Sequence, residues 1–322
     1  MTKYVVLGAG VLALVLLGLA FGAVAVPLAE VPRALFDPGS PYAPIVRDLR
    51  LPRVLLGFLI GGTLAVSGAS LQALLRNPLA DPYLLGLSGG AGLGAVLAIA
   101  LGGPLAWAVP AAAFAGALGA VVLVYALGRS GAGRLEPRVL LLAGVVVSGF
   151  ATAIMSALMV LSSAAELRDA FLWLLGGLGR ASWRSLGLMA LWIPLPLVAL
   201  LTAGRSLDLL ALGEETAGYL GAEVERVKRR VVVSTALLTA AAVATAGMIG
   251  FVGLVVPHAV RRLFGPLHGR LLPLAFLSGG ALLVGADILA RVVVRPVELP
   301  VGVVTALIGV PAFAVLLRRE VR

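Results

Sequence analysis

The chain has 322 residues, 61% of them hydrophobic and 12% charged, with a mean hydropathy of +1.09, far outside the range of soluble globular proteins. It contains no cysteine, which excludes disulfides, thiolate catalysis and zinc–thiolate sites. Its net charge of +10 comes from 25 Lys and Arg against 15 Asp and Glu, but the cations lie between apolar runs and no basic patch is interleaved with aromatics, so nucleic acid is not a partner.

A bilayer core of roughly 30 Å takes about 20 apolar helical residues, and uncharged runs of that order recur along the whole sequence. They are too long and too rich in Leu, Ala and Gly for barrel strands, which makes the fold class all-α, a polytopic membrane protein. The N-terminal run is too long for a cleaved leader and reads as a retained first span, 4–28. The second span is 54–75, followed by the turn RNPLADP at 76–82. The next uncharged run holds two spans, 83–102 and 104–128, because Gly-Gly-Pro at 102–104 permits a hairpin. A basic loop and the span 139–162 follow. The segment 162–185 is amphipathic and too short to span; its Trp173 and Trp183 suit a membrane interface. Further spans are expected at 185–204, 229–249, 271–290 and 299–317, with a short one at 251–264, since GMIGFVGLVVPH reads as the end of one helix and the start of another.

Loop charge decides between nine and ten spans. Ten spans with both termini cytoplasmic place 16 Lys and Arg inside and 9 outside, whereas nine spans give 12 and 13; ten fits the positive-inside rule. RNPLADP then lies inside, stiffened by Pro78 and Pro82, with Asn77 able to cap locally and Arg76 anchoring it to the interface. The longest inside loop, 206–228, reads as two short helices around Gly213, with Glu214 and Glu215 at the N-terminus of the second. With Lys3 and Lys228 the only lysines, no phosphate-binding GxxxxGK[ST] loop exists, so any ATPase must be another polypeptide.

Outside, Arg47, Arg50, Arg53, Arg291 and Arg295 gather where the charge rule expects few cations. Such a cluster suits an acidic partner; headgroup contact or internal pairing, for instance with Asp48, is the competing reading. Asp287 is a carboxylate within an apolar segment, and Arg291 one helical turn on makes an ion pair the simpler account. The alternative is an ion-gradient-driven secondary transporter that uses Asp287. His258 and His268 lack a third ligand and are not read as a metal site. Glycines at four-residue spacing, as in GFLIG at 57–61, indicate close helix packing.

The stretch LRLPRVLLGFLIGGTLAVSGASLQALLRNPLADPYLLGLSGGAGLG at 49–94, with GFVGLVVPHAVRRLFG at 250–265 and ADILAR followed by ELPVGVVTALIGVPAF at 286–313, resembles the FecCD family of permease subunits of type II ABC importers for iron-siderophores, haem and cobalamin. The pattern WLLGGLGRASW is more similar to cobalamin permeases than to siderophore ones. The resemblance implies a ten-helix subunit of the inner (cytoplasmic) membrane, working in lipid as a homodimer with two ATP-binding cassette subunits and a periplasmic or lipoprotein substrate-binding protein. No cofactor belongs to this chain; ATP and Mg belong to the partner ATPase, and the chain is no enzyme. By motif match, Arg50, Arg53 and Arg291 would dock the binding protein, and Leu212, Gly213, Glu214, Glu215, Ala217, Leu220 and Gly221 would couple to the ATPase. Asn77 and Leu79 would form part of a cytoplasmic gate at the dimer axis.

Overall fold

The computed structural model describes residues 2–102, 107–128 and 136–320; the Gly-Gly-Pro turn beyond Gly102, and Arg129 and Arg134 of the basic loop, lie outside the described residues. Helix α1 runs Thr2–Ala20 and α2 Glu30–Phe36. A π-helical stretch Pro44–Arg50 leads without a break into α3, Leu51–Leu75. A 3₁₀ turn Pro82–Leu85 precedes α4, Leu87–Ala100, and then come α5, Ala108–Leu127, α6, Pro137–Leu161, and α7, Ala164–Leu174. The second half contains α8, Trp183–Trp192, α9, Pro194–Leu201, α10, Gly204–Ala211, α11, Glu214–Tyr219, α12, Val224–Ala246, α13, Val252–Phe264, α14, His268–Val292, and α15, Val301–Glu320. The fold is all-helical among the described residues, and six helices are long and apolar enough to cross a membrane. A seventh crossing results if α8 and α9, bent by 46°, form one span. Pro194 opens α9 at this bend, where a proline lacking an N–H can begin a helix at no loss but leaves the preceding turn one hydrogen bond short.

Two boundaries differ from the hydropathy reading. The run assigned to 4–28 is helical only to Ala20, and the helix assigned to begin at 54 begins at Pro44. Arg47, Arg50 and Arg53 ended the apolar run in the sequence, but the helix continues through them, because charge limits burial in lipid and not helix formation.

Helix α3 is the centre of the bundle, with most of its residues from Val54 to Leu75 buried by other helices. A helix apolar on every face belongs in such a position. Its glycines set how close the neighbours come. A Cβ on Gly61 would stand 2.7 Å from the Cβ of Leu283 and would clash with the Gly279 carbonyl, and one on Gly280 would stand 2.6 Å from the ring of Phe58. Phe58 and Phe276 meet edge to face, 5.8 Å between centroids, and close this α3–α14 seam. Gly68 makes the same kind of approach to Gly253 at the start of α13.

The substitution Gly61→Leu drives a side chain into the backbone of α14 and is expected to cost about 1–3 kcal/mol or more, as overpacked cores do. The check is thermal stability of detergent-solubilised protein by fluorescence-detected size exclusion. Gly8→Leu, at an exposed position with nothing within 4 Å, serves as the control and leaves the transition unchanged.

Candidate functional sites at the two ends of the bundle

At the inner end α3 stops because Arg76 adopts a left-handed conformation, φ 47°, after which Asn77 accepts a hydrogen bond from the Leu79 amide at 2.9 Å and closes a tight turn. Asp81 does the same for Tyr83, accepting from its amide at 2.9 Å and starting the 3₁₀ turn. Burial pushes the Asp81 carboxyl up to about 6, against the lowering effect of that amide bond. Within the turn Leu79 is exposed and Asn77 is half-buried.

The inside loop forms α10 and α11 with Gly213 between them, at φ 114°, a conformation that only glycine adopts easily. Two ties fasten this unit. Asp208 accepts from the backbone N–H of His268 at 2.8 Å and pairs with its Nδ1 at 2.7 Å, which caps the start of α14. Glu214 pairs with Lys228 of α12 at 2.5 Å, and Lys228 also bonds Glu225 at 3.0 Å. The Arg76 guanidinium lies beside Gly213, 3.5 Å from where a Cβ on that glycine would stand. Leu207, Leu210 and Ala217 face the bundle, while Leu212, Glu215, Tyr219 and Leu220 are exposed.

The loop residues expected on one partner surface therefore divide. Leu212, Glu215, Leu220 and Gly221 are accessible; Gly213 and Ala217 are buried, and Glu214 is held by Lys228. Lys228 was missed in the sequence because a lysine in a basic segment, VERVKRRV, gives no sign of being buried. Tyr219, with 83% of its surface exposed, adds an aromatic to this accessible face.

At the outer end the arginines turn inward. Arg50, buried, donates to the carbonyls of Leu19 and Ala20 at 2.8 and 2.7 Å and to that of Val24. Arg291, also buried, donates to Gly18 at 3.2–3.3 Å and Phe21 at 2.9 Å. Both satisfy carbonyls at and beyond the end of α1, where a helix lacks intrahelical donors and favours cations. Arg53 grips Asp287 with Nε and Nη2 at 2.9–3.2 Å and reaches Glu298 with Nη1 at 2.9 Å. Arg291 completes the cluster on the other Asp287 oxygen, at 3.0 Å.

Of the three arginines expected to meet a binding protein, Arg50 and Arg291 have their guanidiniums turned to backbone oxygens and Asp287. Arg53 is nearly buried as well, but its partner Glu298 is partly exposed. The Asp287–Arg291 pair is present, and Arg53 is a second cation on the same carboxylate that sequence distance concealed. Removing one member of a buried ion cluster typically costs about 3–5 kcal/mol. Asp287→Asn is accordingly expected to lower the thermal transition of the solubilised protein, whereas Asp37→Asn, at an exposed i,i+4 pair, leaves it within error.

Comparison with known proteins fits this architecture. The profile of the FecCD transport family matches residues 10–319. The chain is 47% identical over 279 residues, 86% of its length and 74% of the relative's, to the cobalamin import system permease protein BtuC of Halobacterium salinarum. It is 44% identical to the hemin transport system permease protein HmuU of Yersinia pestis, with 85% of this chain and 83% of that one covered. Its backbone superposes with a TM-score of 0.84, at 30% identity and 97% coverage of both chains, on a metal-chelate type ABC transporter in an inward-facing conformation. The chain belongs to the FecCD transport family, whose members related to it here are membrane permease subunits of ABC importers.

Proposed function

We propose that the chain forms, as a homodimer in the cytoplasmic membrane, the pathway of an ABC importer for a metal chelate: cobalamin, haem or a ferric siderophore. Two ATPase subunits supply the energy with ATP and Mg, an extracytoplasmic binding protein delivers the substrate, and the permease makes and breaks no bonds. The named relatives carry cobalamin and hemin, which supports the substrate class. The observation that carries the coupling role is the inside unit α10–α11. It leaves Leu212, Tyr219 and Leu220 exposed while its other side is fixed by Asp208 and Glu214. Exposed apolar residues on a rigid support suit a protein interface better than water.

Arg53 is the proposed contact for the binding protein. Arg50 and Arg291 support the outer end from within, and a partner's carboxylate can take the place of Glu298 on the Arg53 guanidinium. The exposure of Leu79 at the tip of the turn, with Asn77 beside it, supports a role for both in an inner gate between two subunits. A secondary transporter gains no support, because Asp287 is already gripped by two arginines.

Tyr219→Asp with Leu220→Asp places charges on the proposed ATPase contact. The ATPase is expected to stop co-purifying while the permease elutes as a folded dimer; retention of the ATPase would remove this surface from the interface. Separately, cysteine at Leu79 or Asn77 is expected to cross-link two subunits in at least one nucleotide state. Absence of a cross-link in every state returns RNPLADP to a turn with no gating role.

A further inference from the structure

Two hydrogen-bonding side chains, one on each side of the RNPLADP turn, reach the same place. Gln72, buried in the last turns of α3, donates from Nε2 to the Ala80 carbonyl within the turn and to the Gly253 carbonyl in α13, both at 3.3 Å. Its Oε1 accepts from Arg261 of α13 at 3.2 Å. Tyr83, just after the turn, donates its hydroxyl to the Ile249 carbonyl at 3.0 Å and accepts from the Ile249 amide at 3.1 Å. Between them, Pro82 rests on Gly253 so closely that a Cβ there would stand 2.7 Å from the proline ring.

The targets are neighbours: Tyr83 holds the break between α12 and α13, and Gln72 holds the start of α13 directly after it. Residues 247–251 leave the helix with Gly247 at φ 70° and Phe251 at φ 69°, and a phenylalanine in that region carries backbone strain. The break in turn touches α15. Gly309 has no room for a Cβ against Phe251, and Met248 joins residues 302–311 of α15 in lining a cavity of about 500 Å³. A buried amide with both its oxygen and its nitrogen engaged, and a hydroxyl used as donor and acceptor to the backbone of one residue, fix orientation as well as distance.

We propose that Gln72 and Tyr83 are positioning residues that clamp the 76–82 turn to the α12–α13 break, so that the turn moves with this break and the α15 wall as one body during transport. Arg76, the first residue of the turn, has its guanidinium beside Gly213 of the inside loop. The clamp itself joins the turn and the cavity wall. The inference rests on the reading of the turn as an inner gate.

The test uses the complete transporter, with its ATPase and binding protein, reconstituted in vesicles with cobalamin and hemin as probes. Gln72→Leu and Tyr83→Phe are compared with wild type in a Leu79→Cys background and without it. Tyr83→Phe removes a single oxygen and keeps the ring, so it decides the matter if Gln72→Leu fails to assemble. Two quantities are read: the difference in cross-link yield between nucleotide-free and ATP-bound states, and substrate imported per ATP hydrolysed. The expected result is a cross-link that no longer responds to nucleotide and a fall in substrate per ATP of roughly fivefold, with ATP hydrolysis retained. A residue needed only for folding would lower both activities together and leave their ratio intact. Wild-type nucleotide response and wild-type substrate per ATP in both variants would overturn the clamp. If the Leu79→Cys protein gives no cross-link even with Gln72 and Tyr83 present, the gate reading fails, and substrate per ATP alone judges the clamp.

Discussion

The structure depends on how closely other helices approach α3. In lipid, one apolar helix gains little by exchanging hydrocarbon for another apolar helix, so association relies on contact between surfaces that fit. Gly61 against Gly279, Gly280 against Phe58 and Gly68 against Gly253 remove the side chains that would hold backbones apart. With these contacts α3 is enclosed by protein along nearly its whole length, and α13 and α14 have their positions set relative to it. Each later feature is built on that frame: the inner turn is the end of α3, and the outer arginine Arg53 lies in its first turn.

The same frame makes buried charge affordable at the outer end. A carboxylate at Asp287's depth is costly alone, and three guanidiniums without partners would cost more. Placed together by α1, α3 and α14, they satisfy one another: Arg53 and Arg291 hold Asp287, while Arg50 and Arg291 close the carbonyls at the end of α1. The cluster is thus a joint between three helices. Arg53 extends the cluster to Glu298, its most exposed member.

Much of this was legible in the sequence, within clear limits. Composition gave the membrane class; prolines and glycines gave the α12–α13 break and the two short helices around Gly213. The segment 162–185 held a short helix, α7, opened by the Ser163–Glu166 capping box that its SSAAE pattern encodes. What could not be read was partnership across the chain. Arg53 and Asp287 are 234 residues apart, and Gln72 and Arg261 are separated by 189; no periodicity or local spacing encodes such pairs. Arginines near a hydropathy boundary look solvent-facing because the sequence records their charge and not the carbonyls that α1 leaves over. Lys228 is the same lesson at the inner end, where two glutamates let a lysine be buried.

Helix α14 connects the two ends. Its first residue, His268, is held by Asp208 of the inside loop, and Asp287, near its last turn, is held by Arg53. An α-helix of 25 residues rises about 37 Å, comparable with a bilayer's hydrocarbon core. The glycine seam with α3 denies it sideways freedom in its middle. Pro273, in its second turn, removes one backbone hydrogen bond between the two ends, and the helix continues past it to Asp287. Ligands on opposite sides of the membrane can influence one another only through differential preference for different arrangements of the chain. In this chain α14 supplies a continuous physical element on which both preferences act, with the inner turn attached separately through Gln72 and Tyr83 to α13 and the break before it.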